Sequence, residues 1–141
     1  MILVDAKHWP LLLLRYEGTV SLAEVEDCLT TFDRLAVRKQ RFVSVSDISR
    51  VHMPSGDVLR RYAKWHRENQ DLLRTFCLGS ATIAPSALVR GILKAVNWLQ
   101  PSPEPQVVVA TLEEGLRFVE DRLTEGRLAL PKSAVSLTRF A

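Results

Sequence analysis

Asp47, His52 and Ser55 fall within nine residues of one another, and a carboxylate, an imidazole and a hydroxyl are the groups of a nucleophilic relay. Three such groups on one short strand, turn and helix lack the reach and relative orientation that a relay needs. The Gly-x-Ser-x-Gly turn that presents a hydrolase serine is also missing from the sequence. Hydrolysis through His52 is therefore the weakest reading, and the chain is expected not to be an enzyme. His8, His52 and His66 have no spacing that would set two of them on one helix face, and there is no Cys-x-x-Cys, so no metal is expected. Gly79-Ser80-Ala81 and Gly91 are isolated rather than part of a phosphate loop, so no cofactor is expected.

The same residues suit binding better. Asp47 is expected at the carboxyl end of a central strand, where open α/β sheets hold their ligands, or else as a carboxylate that caps the following turn. Ser55 is the natural N-cap of the next helix, whose free N–H groups and dipole favour an anion, including a phosphate carried by Ser55 itself. With Asp57 these form an expected protein-docking contact, rimmed by Arg60, Arg61 and Lys64. The plainer reading of the basic residues is a solvated face paired with Glu68 and Asp71. A second candidate site is apolar: Tyr62, Trp65, Ile92 and Val96 would line a pocket for a small apolar molecule or lipid, between the second and third helices and the sheet. Trp65 and Trp98 are large anchors with polar tips, suited to a pocket or an interface.

The elements that must position these groups follow from periodicity. Ile2 to Asp5 and Leu11 to Tyr16 read as two strands joined through Lys7 to Pro10. Ser21-Leu22-Ala23-Glu24 is a capping box, and Leu22, Val25, Leu29, Phe32 and Ala36 continue as one apolar helix face. Phe42 to Ile48 is a strand covered on both sides. A second helix is expected from Ser55 to Leu73, a strand from Thr75 to Ile83, and a third helix from Ser86 to Leu99 that turns Leu88, Val89, Ile92, Leu93 and Val96 to the core. Pro101, Pro103 and Pro105 stop it and hold an extended link. Gln106 to Ala110 is a short apolar strand, and Thr111 to Glu114 a second capping box before a last helix.

Strands alternating with helices require a mostly parallel sheet with right-handed crossovers, and the N-terminal hairpin adds an antiparallel edge. The expected fold is α/β: a single mixed sheet with about four helices on it, residues 1–123 forming the domain and 124–141 a mobile tail or strap.

Composition narrows the class of partner. At 141 residues the chain suits one domain, and 47% hydrophobic with 25% charged residues is ordinary for a folded protein. A net charge of +3 is too weak, without clustering, to imply nucleic acid. The longest apolar run, Leu11 to Leu14, is far short of the roughly 20 residues of a membrane span. The first residues do not read as a signal peptide, and Cys28 and Cys77 read as buried reduced thiols, so a cytoplasmic setting is expected. Aromatic positions near the C-terminus, Phe140 among them, permit a homodimer.

Two segments carry a family resemblance. Asp47-Ile48-Ser49-Arg50-Val51 with Ser55-Gly56-Asp57-Val58-Leu59 resembles the strand, turn and second helix of the STAS superfamily in its SpoIIAA-like branch. Ala84 to Gly91, Asn97-Trp98-Leu99, the Pro-rich link and Thr111 to Glu114 resemble the C-terminal half of SpoIIAA-like bacterial proteins. The resemblance covers about residues 2 to 123. It implies a non-enzymatic bacterial regulatory module that docks a protein partner at the start of helix two. In antagonist members a kinase phosphorylates a Ser in an Asp-Ser-Ser/Thr-Gly-Leu turn. Here the turn reads Met53-Pro54-Ser55-Gly56-Asp57, which makes Ser55 the implied phosphoacceptor. Similarity of that branch to lipid-exchange domains implies an apolar ligand beneath a helix as the alternative.

Overall fold

Ser21 opens the first helix as its residue type requires. Its hydroxyl accepts from the Glu24 N–H at 3.2 Å while Glu24 Oε2 accepts from the Ser21 N–H at 2.8 Å, so both ends of the capping box form. At the second box, Thr111 accepts from the Glu114 N–H at 3.2 Å, but the Glu114 carboxylate takes the Thr111 hydroxyl instead of its N–H. These starts punctuate an alternating chain, which the computed structural model describes over residues 1–138.

β1 (Ile2–Asp5) and β2 (Leu11–Gly18) form an antiparallel pair. β2, β3 (Phe42–Val51), β4 (Cys77–Ile83) and β5 (Gln106–Val109) follow in parallel, giving the spatial order β1-β2-β3-β4-β5. The helices are α1 (Leu22–Ala36), α2 (Gly56–Glu68), α3 (Gln70–Phe76), α4 (Ala87–Leu99), α5 (Leu112–Glu125) and α6 (Lys132–Thr138). Each parallel connection steps the same way across the sheet. Since such crossovers are right-handed, α1, α2 with α3, and α4 all arrive on one face, which leaves the other to α5 and α6.

The face under α5 is a dry core. Val43, Val45, Ala81 and Ile83 point from β3 and β4 into Leu116, Val119 and Leu123 of α5, all of them buried. Gly79 lets α5 come this close: a Cβ there would meet Arg122 Cγ at 2.7 Å. On the opposite face a separate cluster joins Val25 and Leu29 of α1 to Val58 and Trp65 of α2 and Leu73 of α3.

The expected α/β architecture and its antiparallel edge are present, with corrections of extent. β3 runs on to Val51, so Asp47 lies within the strand and not at its end. The second helix stops at Glu68, where Asn69 turns inward and its Nδ2 donates to the Trp65 carbonyl at 2.8 Å; the short α3 then delays β4 to Cys77. The segment after Gly126 is a strap: α6 packs on the core with Ala134 fully buried, and Leu128 and Leu130 cover the same cluster. Residues 139–141, including Phe140, lie outside the described residues.

Candidate functional site

β3 and β4 carry different chemistry on their two faces. Opposite the apolar α5 side, Ser44 pairs in register with Ser80 and Ser46 with Thr82. A two-by-two patch of hydroxyls therefore stands where a covered sheet would ordinarily place branched apolar residues. The helices do not close over it. A cavity of about 1030 Å³ lies between this patch, α2 and α4, at the upper end of the roughly 300–1,000 Å³ typical of ligand sites.

α2 lines the cavity with Tyr62 and Trp65, and α4 lines it with Val89, Ile92, Leu93 and Val96. The sequence expectation for α4 is corrected here: none of its residues is buried, and Leu88, turned outward, is 74% exposed. The periodicity that turned an apolar stripe inward was real. What it faces is open space. The helix is held at its N-terminal end instead, with Ser86 accepting from the Val89 N–H at 3.4 Å and Arg90 Nη1 donating to the carbonyls of Ala84 and Pro85 at 2.8 and 2.6 Å.

The α2 wall is anchored by hydrogen bonds. Trp65 Nε1 donates to Asp33 of α1 at 3.0 Å, and the Tyr62 hydroxyl donates to the Tyr16 hydroxyl at 3.1 Å, with Cys28 Sγ 3.8 Å away. Burial pushes the Tyr16 hydroxyl up to about 12 and raises Tyr62 further in the same direction, again chiefly through burial. Both remain neutral donors and acceptors at physiological pH.

One end of the cavity holds a carboxyl group. Glu104, from the Pro-rich link, is 7% exposed and borders the cavity beside Cys77, Ser80 and Gln106. Its Oε1 accepts from Ser80 Oγ at 3.3 Å and Gln106 Nε2 at 2.9 Å, while its Oε2 is buried without a partner. The Cys77 thiol is pushed up to about 12, mostly by burial and next by the Glu104 charge. No sequence reading singled out Glu104, since a charged residue between two prolines reads as solvated link.

The expected docking residues are only partly brought together. Ser55 caps α2 by accepting from the Val58 N–H at 3.3 Å, with Asp57 in the first turn. Alternation along β3 puts Asp47 with Val43 and Val45 on the α5 face, across the sheet from α2, where its Oδ1 takes the N–H and hydroxyl of Ser49. Arg60 pairs with Asp57 at 2.6 Å, Arg61 with Glu26 of α1 at 2.5 Å, and Lys64 with Glu68 at 3.8 Å, so the basic face is neutralised by its neighbours. His52 Nδ1 lies 3.2 Å from the Thr19 hydroxyl. With Asp47 bonded to Ser49 across the sheet, these groups do not assemble as a relay.

No family model and no curated protein matches the chain. Solved structures share its fold, two of them as follows. An uncharacterised protein from Shewanella loihica, described as having a SpoIIAA-like fold, superposes with a TM-score of 0.67 at 13% identity, covering 84% of this chain and 91% of that one. An anti-sigma factor antagonist from Mycobacterium paratuberculosis superposes with a TM-score of 0.52 at 16% identity, covering 84% of this chain and 92% of that one. The fold is SpoIIAA-like, as the sequence resemblance implied. No helix among the described residues is long and apolar enough to cross a membrane.

Proposed function

We propose that this protein is a non-enzymatic binding module that holds a mainly apolar small molecule or lipid between α2, α4 and the hydroxyl patch of the sheet. The observation that carries this reading is α4: an apolar helix with no buried residue, standing over a cavity of about 1030 Å³. Leaving Ile92 and Val96 about half exposed forgoes the transfer energy of a closed core, roughly 25 cal/mol per Å² of apolar surface. A bound chain recovers that energy. Tyr62 and Trp65, fixed by their own hydrogen bonds, supply a preformed wall. A cytoplasmic setting goes with this reading.

Nile red titration tests it. The wild-type protein is expected to bind the dye with a blue-shifted emission, and Ile92→Asp, at an exposed and foldable position, to bind about tenfold more weakly. Absence of binding by the wild type, or undiminished binding by the variant, would discard the cavity as a site.

A second reading, a protein partner docked at the start of α2, draws on one observation. Met53, 88% exposed, and Leu59 flank the Ser55 cap and present apolar surface there. The fold shared with an anti-sigma factor antagonist supports a regulatory partner of this kind. In this reading Ser55 is the phosphoacceptor, Asp57 and Arg60 stand in the turns beside it with Lys64 further along α2, and Asp47 and Arg61 are engaged elsewhere. Phosphate-affinity electrophoresis of protein recovered from its own cell should show a retarded band that Ser55→Ala removes. A single unshifted band would end the switch.

A further inference from the structure

The cavity is apolar along α2 and α4 but ends on a buried carboxylate. Among the described residues Glu104 takes part in no ion pair, and its hydrogen bonds from Ser80 and Gln106 satisfy only Oε1. A carboxylate removed from water is costly unless paired, and an acceptor-only group is completed only by a donor. The neighbours on the sheet side, Ser80 and Gln106, already donate to it, and Cys77 donates its thiol to the Gly79 carbonyl at 3.6 Å. Oε2 itself is closed to solvent, so a donor from the cavity meets it only as the Glu104 side chain turns.

We propose that the cavity selects an aliphatic chain headed by a cationic hydrogen-bond donor, of the long-chain amine class, whose ammonium pairs with the Glu104 carboxylate as that side chain turns toward the cavity, while the chain lies along α4. This rests on the carrier reading above and specifies its ligand. The hydroxyl patch, Ser44, Ser46 and Thr82, then flanks the head-proximal part of the chain, and Val89 and Ile92 cover the remainder. A fatty acid fits poorly, because its carboxylate would meet Glu104 as a like charge or lose its solvation against an apolar wall.

Calorimetric titration with dodecylamine, dodecanol and dodecanoate, below their aggregation thresholds, separates the possibilities. Wild-type protein is expected to bind the amine about tenfold or more tighter than the acid, the scale of a charge-assisted hydrogen bond in a dry site. Glu104→Gln, isosteric and checked by circular dichroism, should retain dodecanol binding and lose the amine preference. The ratio in the wild type is a test by itself, independent of how the variant folds. Equal binding of amine and acid, or a preference that survives in Glu104→Gln, would overturn the assignment and leave the carrier reading standing. Failure of all three probes to bind would overturn both.

Discussion

Tyr16 and Tyr62 show how a single buried contact ties the site to stability. Both phenols are raised by burial, Tyr16 from 10.0 to about 12 and Tyr62 in the same direction. The folded state therefore holds these protons more tightly than the unfolded one. Their contribution is complete below about pH 10 and disappears as pH climbs through the folded value near 12, because the unfolded state ionises first. Cys77, raised from 9.0 to about 12, acts in the same sense. Urea midpoints should hold steady up to about pH 9 and then fall steeply, and the double variant Tyr16→Phe with Tyr62→Phe should flatten that fall while costing about 1 kcal/mol at neutral pH for the lost hydrogen bond. An unchanged alkaline slope in the double variant would contradict the burial of the pair. At this scale the apolar lining of the candidate cavity is legible in the sequence, since Tyr62, Trp65, Ile92 and Val96 all border it. Glu104 is not: its burial comes from β5 drawing the Pro-rich link against Ser80, whose N–H donates to the Pro105 carbonyl at 2.9 Å.

Among the elements, α4 is the one whose packing departs from its pattern. Amphipathic spacing says which residues share a helix face, but not whether the facing layer is close enough to touch them. Its caps and its proline stop were legible, and its distance from the sheet was not. For similar reasons the break at Asn69 is hidden: Leu72 and Leu73 keep the apolar rhythm, and only the inward hydrogen bond of Asn69 to Trp65 marks the end of α2. A helix with so little buried surface opens easily, since local stability follows local burial. Amide hydrogen exchange in α4 should run fastest among α1, α2, α4 and α5, and should slow when dodecylamine or Nile red is bound, with α5 unchanged. Equal protection of α4 and α5 in the protein without added ligand would contradict a lid standing over a cavity.

At the level of the whole molecule, the sheet separates a sealed face from an open one. Sequential strand order with right-handed crossovers gathers α1 to α4 on one face, and the return by α5 with the α6 strap seals the other. That strap was the least legible part of the fold, because Leu128, Leu130 and Ala134 have no periodicity until α5 exists to receive them. The division has a measurable consequence. Ala134→Asp forces a charge into the sealed face with no partner, and should lower unfolding free energy by about 3 kcal/mol or more. Ile92→Asp, on the open face, should change it by no more than about 0.5 kcal/mol while weakening ligand binding. Were the two substitutions to cost equal stability, α4 would be part of the core rather than a cover, and the hydroxyl patch would lie beneath a closed layer with no ligand to meet.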